Sequence, residues 1–228
     1  MNNHNTLLLG KRVWLFDFDG VLVPAPNEDD HTRFVSNAIK LIVELKGISR
    51  KDSTKMYNDI TKKNKVNLHE FFKNNFPEMD GKLIMKKIFG EYNKKYESMK
   101  PDSNIIEIIK SLSENGIRIG IFTNNTQDTV CRTVKRLGYL KHFERIIAYE
   151  QLFPFLKPEE FSYKIAAEHF NASSKEIVFV DDSEENVRVS KRLGIVSIHV
   201  SETDADDKVT DFNVRNSEEL LKLIRTKT

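Results

Sequence analysis

The chain has 228 residues, of which 39% are hydrophobic and 31% charged, and its net charge is +2. That balance suits a globular chain of one large domain, or one domain with a sizeable insertion. No apolar run approaches the ~20 residues that cross a bilayer, and the single cysteine, Cys131, excludes an internal disulfide and a cysteine-rich metal site. Leu7-Leu8-Leu9 is too short for the apolar core of a signal peptide and runs into Gly10-Lys11-Arg12, so a reducing, cytoplasmic setting is expected.

From the N-terminus, Val13-Trp14-Leu15-Phe16 reads as a strand buried on both faces, and it ends abruptly in Asp17-Phe18-Asp19-Gly20. Pro24-Ala25-Pro26 and the acidic cluster Asn27-Glu28-Asp29-Asp30 are expected to form a linker leaving the sheet. Residues 31–100 read as helices only. Phe34, Val35, Ala38, Leu41, Ile42 and Leu45 recur at helical spacing before Gly47. A second, more polar helix is expected from Asp52 to about Lys63, a third from Leu68 to Pro77, and a fourth around Leu83, Ile88, Tyr92 and Tyr96. This region carries 16 Lys/Arg against 8 Asp/Glu, a surplus of +8 that leaves −6 for the rest of a chain of net +2. Such asymmetry between regions points to different roles for each.

Past Pro101 the pattern alternates. The expected order is a helix through Ile105–Leu112, a strand Ile117–Phe122, a helix to Leu137 and a short strand Arg145–Ala148. A helix Pro158–Phe170 with proline in its first turn follows, then a strand Glu176–Val180, a helix Ser183–Leu193 and a strand Ile195–Val200. After an acidic loop, Asp211–Val214 is expected as an edge strand and Ser217 as the N-cap of a last helix. Strands alternating with helices imply a Rossmann-like parallel sheet covered by helices on both faces. The α/β core is expected to be 1–26 and 101–228, with an all-helical cap domain at 27–100 inserted after the first strand.

Four polar clusters follow strands or a strand–helix junction: Asp17/Asp19, Thr123/Asn124, Lys157 and Asp181/Asp182. In a parallel sheet the strand-end clusters converge on one edge, where open α/β sheets bind ligands. Three acids, Asp17, Asp19 and Asp182, offer oxygen ligands to a hard cation such as Mg²⁺. Lys157 and the Thr123 hydroxyl can hold phosphoryl oxygens, and cation and lysine together neutralise their charge. One carboxylate can attack phosphorus, and a second can protonate the leaving oxygen and then activate water.

The motifs Asp17-Phe18-Asp19-Gly20-Val21-Leu22, Phe122-Thr123-Asn124-Asn125, Lys157-Pro158 and Val180-Asp181-Asp182-Ser183-Glu184-Glu185-Asn186-Val187 carry a resemblance. In this order and spacing the chain resembles the magnesium-dependent phosphatase branch of the haloacid dehalogenase superfamily. The resemblance covers roughly residues 10–30 and 100–200. It implies Asp17 as nucleophile and metal ligand, and Asp19 as general acid/base with its backbone carbonyl on the metal. It implies Asp182 as the remaining direct ligand and Asp181 as an outer-shell acid. The phosphoryl group would be bound by Asp19, Gly20, Thr123, Asn124 and Lys157, with the Asn124 amide assisting Thr123. The cofactor implied is Mg²⁺, and the helical insertion corresponds to the cap that selects substrate.

Pro24-Ala25-Pro26, Glu159-Glu160 after Lys157-Pro158, and Phe153-Pro154-Phe155 before it depart from the usual pattern without touching a catalytic position. His31, Arg33, His69 and Lys73 could face substrate from the cap, but each is read as an ordinary surface residue and not as a site. The expected activity is hydrolysis of a small phosphorylated metabolite, a nucleotide or a sugar phosphate, through an aspartyl phosphate. Neither a nucleic-acid polymer nor a membrane is expected as partner. The alternatives are a phosphomutase, a haloacid dehalogenase, which has no use for an acid at Asp19, and a non-catalytic binding protein on the same fold.

Overall fold

The computed structural model describes residues 7–59, 72, 74–77, 79, 84, 87–88, 92–203, 206 and 208–225. The chain divides into two compact units, Pro26–Met99 and the remainder, Met1–Ala25 with Lys100–Thr228.

The described part of Pro26–Met99 is helical. Helix α1 (Glu28–Lys46) starts three residues inside the stretch expected to be linker. The Asn27 side chain accepts from the Asp30 amide, and the Asp30 side chain accepts from the Asn27 amide. Glu28, Asp29 and Asp30 therefore sit in the first turn, where the positive end of the helix dipole favours acids. An acidic run after two prolines is thus a helix start here, and only Pro24–Asn27 remains as connection. Gly47, at φ 62°, closes α1 in the left-handed conformation. Helix α2 (Arg50–Asn58) is capped by Ser49, and a 3₁₀ helix covers Tyr92–Ser98. Ala38, Leu41 and Ile42 of α1 pack with Tyr57, Phe72, Phe76, Ile84 and Ile88 in a core of their own. Much of the expected third and fourth helices lies outside the described residues, as do His69 and Lys73. His31 and Arg33 are exposed on α1.

In the other unit six parallel strands form one sheet in the order β3-β2-β1-β4-β5-β6. They are β1 (Val13–Phe16), β2 (Arg118–Phe122), β3 (Arg145–Ile147), β4 (Ile177–Asp181), β5 (Val196–Val200) and β6 (Phe212–Val214). The intervening helices are α3 (Ser103–Glu114), α4 (Gln127–Arg136), α5 (Tyr149–Leu152), α6 (Glu160–His169), α7 (Glu184–Arg192) and α8 (Ser217–Arg225). Every residue of β1 and β4 is buried, as strands covered on both faces require. Strand order reverses between β1 and β4, which pair in register from Val13↔Ile177 to Phe16↔Val180. The crevice at the carboxyl end of that switch point is where such sheets bind ligands.

Below that edge Phe122, Tyr163 and Phe179 form an aromatic cluster, with Tyr163 edge-on to both phenylalanines at 5.3 and 5.6 Å. Burial of each ring contributes on the order of 2 kcal/mol. Gly120 in β2 leaves room for Phe170, whose ring would lie 2.5 Å from a Cβ at that position.

Two further local expectations differ from the structure, and one short helix was not expected. Pro158 precedes α6 instead of opening it. Residues 156–159 form a turn closed by the Glu159 amide on the Leu156 carbonyl at 2.8 Å, and the helix begins at Glu160. The last helix is capped by Asn216, whose side chain accepts from the Glu219 amide at 3.1 Å, while Ser217 turns to donate to Asp102 at 2.7 Å. The four-residue α5 is too short to show a periodicity in sequence.

Candidate active site

Each strand of the central trio delivers a polar residue to the same edge. Asp17 directly follows β1, and its amide donates to the Val180 carbonyl of β4 at 2.9 Å. Thr123 directly follows β2, held by its amide on Ile147 at 3.0 Å. Asp181 is the last residue of β4, and Asp182 precedes α7. Lys157 comes from the turn before α6.

The centre is an ammonium between two carboxylates. The Lys157 Nζ lies 2.9 Å from Asp17 Oδ1 and 2.7 Å from Asp181 Oδ2, with the lysine side chain 1% exposed and Asp181 fully buried. The same Nζ stands over the Phe122 and Phe179 rings at 5.2 and 5.1 Å, which favours its charge. Burial alone would lower the Lys157 pKa; the two carboxylates outweigh it and raise the group above its ordinary value. Burial pushes the Asp17 carboxyl up to about 8 against the pull of Lys157, helped by the charges of Asp181 and Asp19. Burial and Asp181 likewise push Asp182 up to about 6.

The three acids Asp17, Asp181 and Asp182 each offer an oxygen, and these oxygens lie within 4.8 Å of one another. One lysine does not neutralise them, and the donor set holds neither histidine nor cysteine. A hard divalent cation fits that set. Asp181 is the least available of the three. It accepts from Lys157, from the Ser183 amide at 2.8 Å, and from Asn186 Nδ2 on both oxygens at 3.0 and 3.1 Å. Asp182 stands against Gly20, where a Cβ would fall 2.0 Å from its Oδ2; at φ +79° this position also suits glycine alone. The Gly20 amide already donates to Val23 at 2.8 Å, so this residue contributes space beside Asp182.

The loop after β2 joins the remaining pieces. Asn124 clamps the lysine segment: its Nδ2 donates to the Lys157 carbonyl at 2.8 Å, and its Oδ1 accepts from the Lys157 amide at 2.9 Å. Thr123 Oγ1 accepts from the Asn125 amide at 3.1 Å and keeps its own hydrogen to donate. Asn125 Nδ2 donates to Asp19 Oδ2 at 2.9 Å. Asp17, Asp19, Gly20, Thr123, Asn124, Lys157, Asp181 and Asp182 are thus gathered at one strand edge.

Sequence reasoning assigned no role to Asn125, Asn186 or His199. His199 on β5 places Nε2 3.1 Å from the Asp182 carbonyl and Nδ1 3.0 Å from Asn213 Oδ1, and so steadies the backbone of Asp182. A histidine inside a buried, largely β-branched strand was the one available signal for it. The asparagines look like turn residues in sequence, and only their distant partners distinguish them.

Comparison with known proteins bears on the family and the fold. Residues 14–200 match the model of the haloacid dehalogenase-like hydrolases. A curated relative, glyceraldehyde 3-phosphate phosphatase of Methanopyrus kandleri, is 24% identical over 226 residues, covering 92% of this chain and 96% of its own. Among solved structures, a phosphatase from Thermococcus onnurineus is 21% identical with a TM-score of 0.66, covering 93% of this chain and 97% of its own. A β-phosphoglucomutase from Clostridium difficile is 16% identical with a TM-score of 0.67, covering 95% and 96%. With the family pattern spanning most of its length and the acids, hydroxyl and lysine gathered at its sheet edge, the chain belongs to the haloacid dehalogenase-like hydrolase family.

Proposed function

We propose that this protein is a Mg²⁺-dependent phosphomonoester hydrolase acting on a small phosphorylated metabolite, with Asp17 as nucleophile and Asp19 as general acid/base. The observation that carries this reading is the buried Asp17–Lys157–Asp181 bridge beside Asp182, an all-oxygen cluster that one ammonium leaves undercompensated. Asp17, Asp182 and the Asp19 carbonyl would hold the cation, with Asp181 behind them as the acid that fixes Lys157. When bound, the cation neutralises phosphoryl charge and keeps Asp17 ionised.

In the first half-reaction an Asp17 carboxylate oxygen forms a bond to phosphorus. The ester P–O bond breaks, its electron pair goes to the leaving oxygen, and Asp19 gives that oxygen a proton. The alcohol departs and leaves an acyl phosphate on Asp17. In the second half-reaction Asp19 takes a proton from water, the water oxygen bonds to phosphorus, and the bond to Asp17 breaks to release phosphate. Thr123 donates its hydroxyl to the phosphoryl oxygens, and Lys157, clamped by Asn124, offsets the charge that builds on them. Pro26–Met99 is the cap in this reading. Among substrates, a phosphorylated sugar or triose leads, because the relative that matches nearly end to end is named for one.

The test is release of inorganic phosphate from a panel of sugar phosphates, triose phosphates and nucleotides. Mg²⁺-dependent release that a chelator abolishes supports the reading. Phosphoryl transfer without net release, obtained only when a sugar bisphosphate is added, would instead support a mutase, the activity named for one structural neighbour.

A further inference from the structure

Asn125 is 6% exposed and stands directly after the phosphate-binding pair Thr123-Asn124. Three of its four polar groups are committed to neighbouring backbone and side chains. Its amide donates to Thr123 Oγ1 at 3.1 Å, its carbonyl accepts from the Tyr149 amide at 2.9 Å, and its Oδ1 accepts from the Thr126 amide at 2.8 Å. A backbone amide only donates, so the Thr126 contact fixes which end of the side chain is oxygen. The Nδ2 end therefore points at Asp19, 106 residues away in sequence, and donates to its Oδ2 at 2.9 Å.

Asp19 sits at the edge of a tight loop in which Leu22 and Val23 both donate to the Phe18 carbonyl at 3.0 Å. This amide ties the Asp19 carboxylate to the rigid strand edge. A half-buried carboxyl group samples several rotamers, and only one brings its proton to a leaving oxygen. We infer that Asn125 is a positioning residue for the general acid/base: its side-chain amide holds the Asp19 carboxyl group in the rotamer that protonates the leaving group. The backbone amide of the same residue donates to the Thr123 hydroxyl oxygen, so the acid and the phosphate-binding hydroxyl share one anchor. This inference rests on the assignment of Asp19 above.

The test uses the intact protein and two esters, an alkyl phosphate and dinitrophenyl phosphate. The alkyl leaving group needs a proton and the dinitrophenolate does not. In kcat/KM only steps up to leaving-group departure count, so the later hydrolysis of the acyl phosphate does not enter. Asn125→Ala is expected to lower kcat/KM for the alkyl ester by about 10–100-fold, the scale of a misplaced catalytic group. The loss on the dinitrophenyl ester is expected to be at least tenfold smaller (about that ratio follows from the same principle). Asn125→Asp keeps an acceptor for the Thr126 amide but removes the donor, and should show the same split. Asp19→Asn should show a larger split, and adding Asn125→Ala to it should cost the alkyl ester nothing further. Equal losses on both esters, a wild-type ratio in folded Asn125→Asp, or losses that multiply in the double variant would overturn the inference. If Asp19→Asn itself lacks the split, the acid assignment fails, a pattern distinct from failure of Asn125 alone.

Discussion

At the scale of single residues, the site is governed by carboxylates held close together in a dry place. Asp17 titrates at about 8 in the folded chain against an ordinary 3.8, and Asp182 at about 6 against the same value. Between those limits the folded protein binds protons that the unfolded chain has lost, so the stability these groups contribute falls as pH rises. A divalent cation displaces the same protons, and its stabilising increment should therefore grow over that window. The gain in Tm from a fixed Mg²⁺ concentration is expected to increase from about pH 6 to about pH 8 and then level off. A gain that is flat across this range would contradict the cluster as the cation site. Lys157→Met removes the ammonium between Asp17 and Asp181. In chelator near pH 8 it should cost about 3–5 kcal/mol, as for one partner lost from a buried pair. The loss should shrink toward pH 6 as Asp17 takes up a proton, and urea titrations at both pH values measure it.

At the scale of elements, the sequence made strands and long helices legible because their periodicity and burial are local properties. The residues ending β1, β2 and β4 were legible as strand-end clusters for the same reason. Helix starts were less so, because a cap depends on which of several competent side chains wins. Asn27 turned an acidic linker into the first turn of α1, and Asn216 took the cap expected of Ser217. Asn125 and Asn186 were illegible because their partners are set by the fold, and His199 stood out on its strand without its partners being readable. Ser217 shows what such long-range choices do: its hydroxyl donates to Asp102, the N-cap of α3, 115 residues earlier. Asp102 also accepts from the Asn104 amide at 2.7 Å, and its own amide donates to Tyr139 at 2.8 Å. Asp102→Ala should destabilise by about 1–2 kcal/mol, the range for a lost N-cap. Ser217→Ala should cost less, and the double variant less than the sum, because both remove one shared bond. Additive costs in denaturant midpoints would show that α3 and α8 are not coupled through this pair.

At the scale of the whole molecule, the surplus of +8 over residues 31–100 falls to +4 for the helical unit Pro26–Met99, which takes in Glu28, Asp29 and Asp30 and leaves out Lys100, while the unit that carries the acid cluster holds −2. A basic unit draws anionic substrate by a field that salt screens over about 8–10 Å. Replacing 27–99 by a short Gly/Ser bridge should leave hydrolysis of a small generic phosphate ester, since Asp17, Asp19, Thr123, Lys157 and Asp182 all remain. Discrimination among metabolites and the salt dependence of kcat/KM should both be lost. A folded core that keeps the intact protein's substrate ranking would place selectivity in the sheet unit.

The central claim is that phosphoryl transfer passes through Asp17. A single turnover on a phosphorylated substrate, quenched in acid and reduced with borohydride, converts an acyl phosphate carboxyl to an alcohol that peptide mapping locates. The expected result is modification at residue 17, dependent on Mg²⁺ and absent from Asp17→Ala. Modification at another carboxylate, or rapid turnover by Asp17→Ala, would contradict the account.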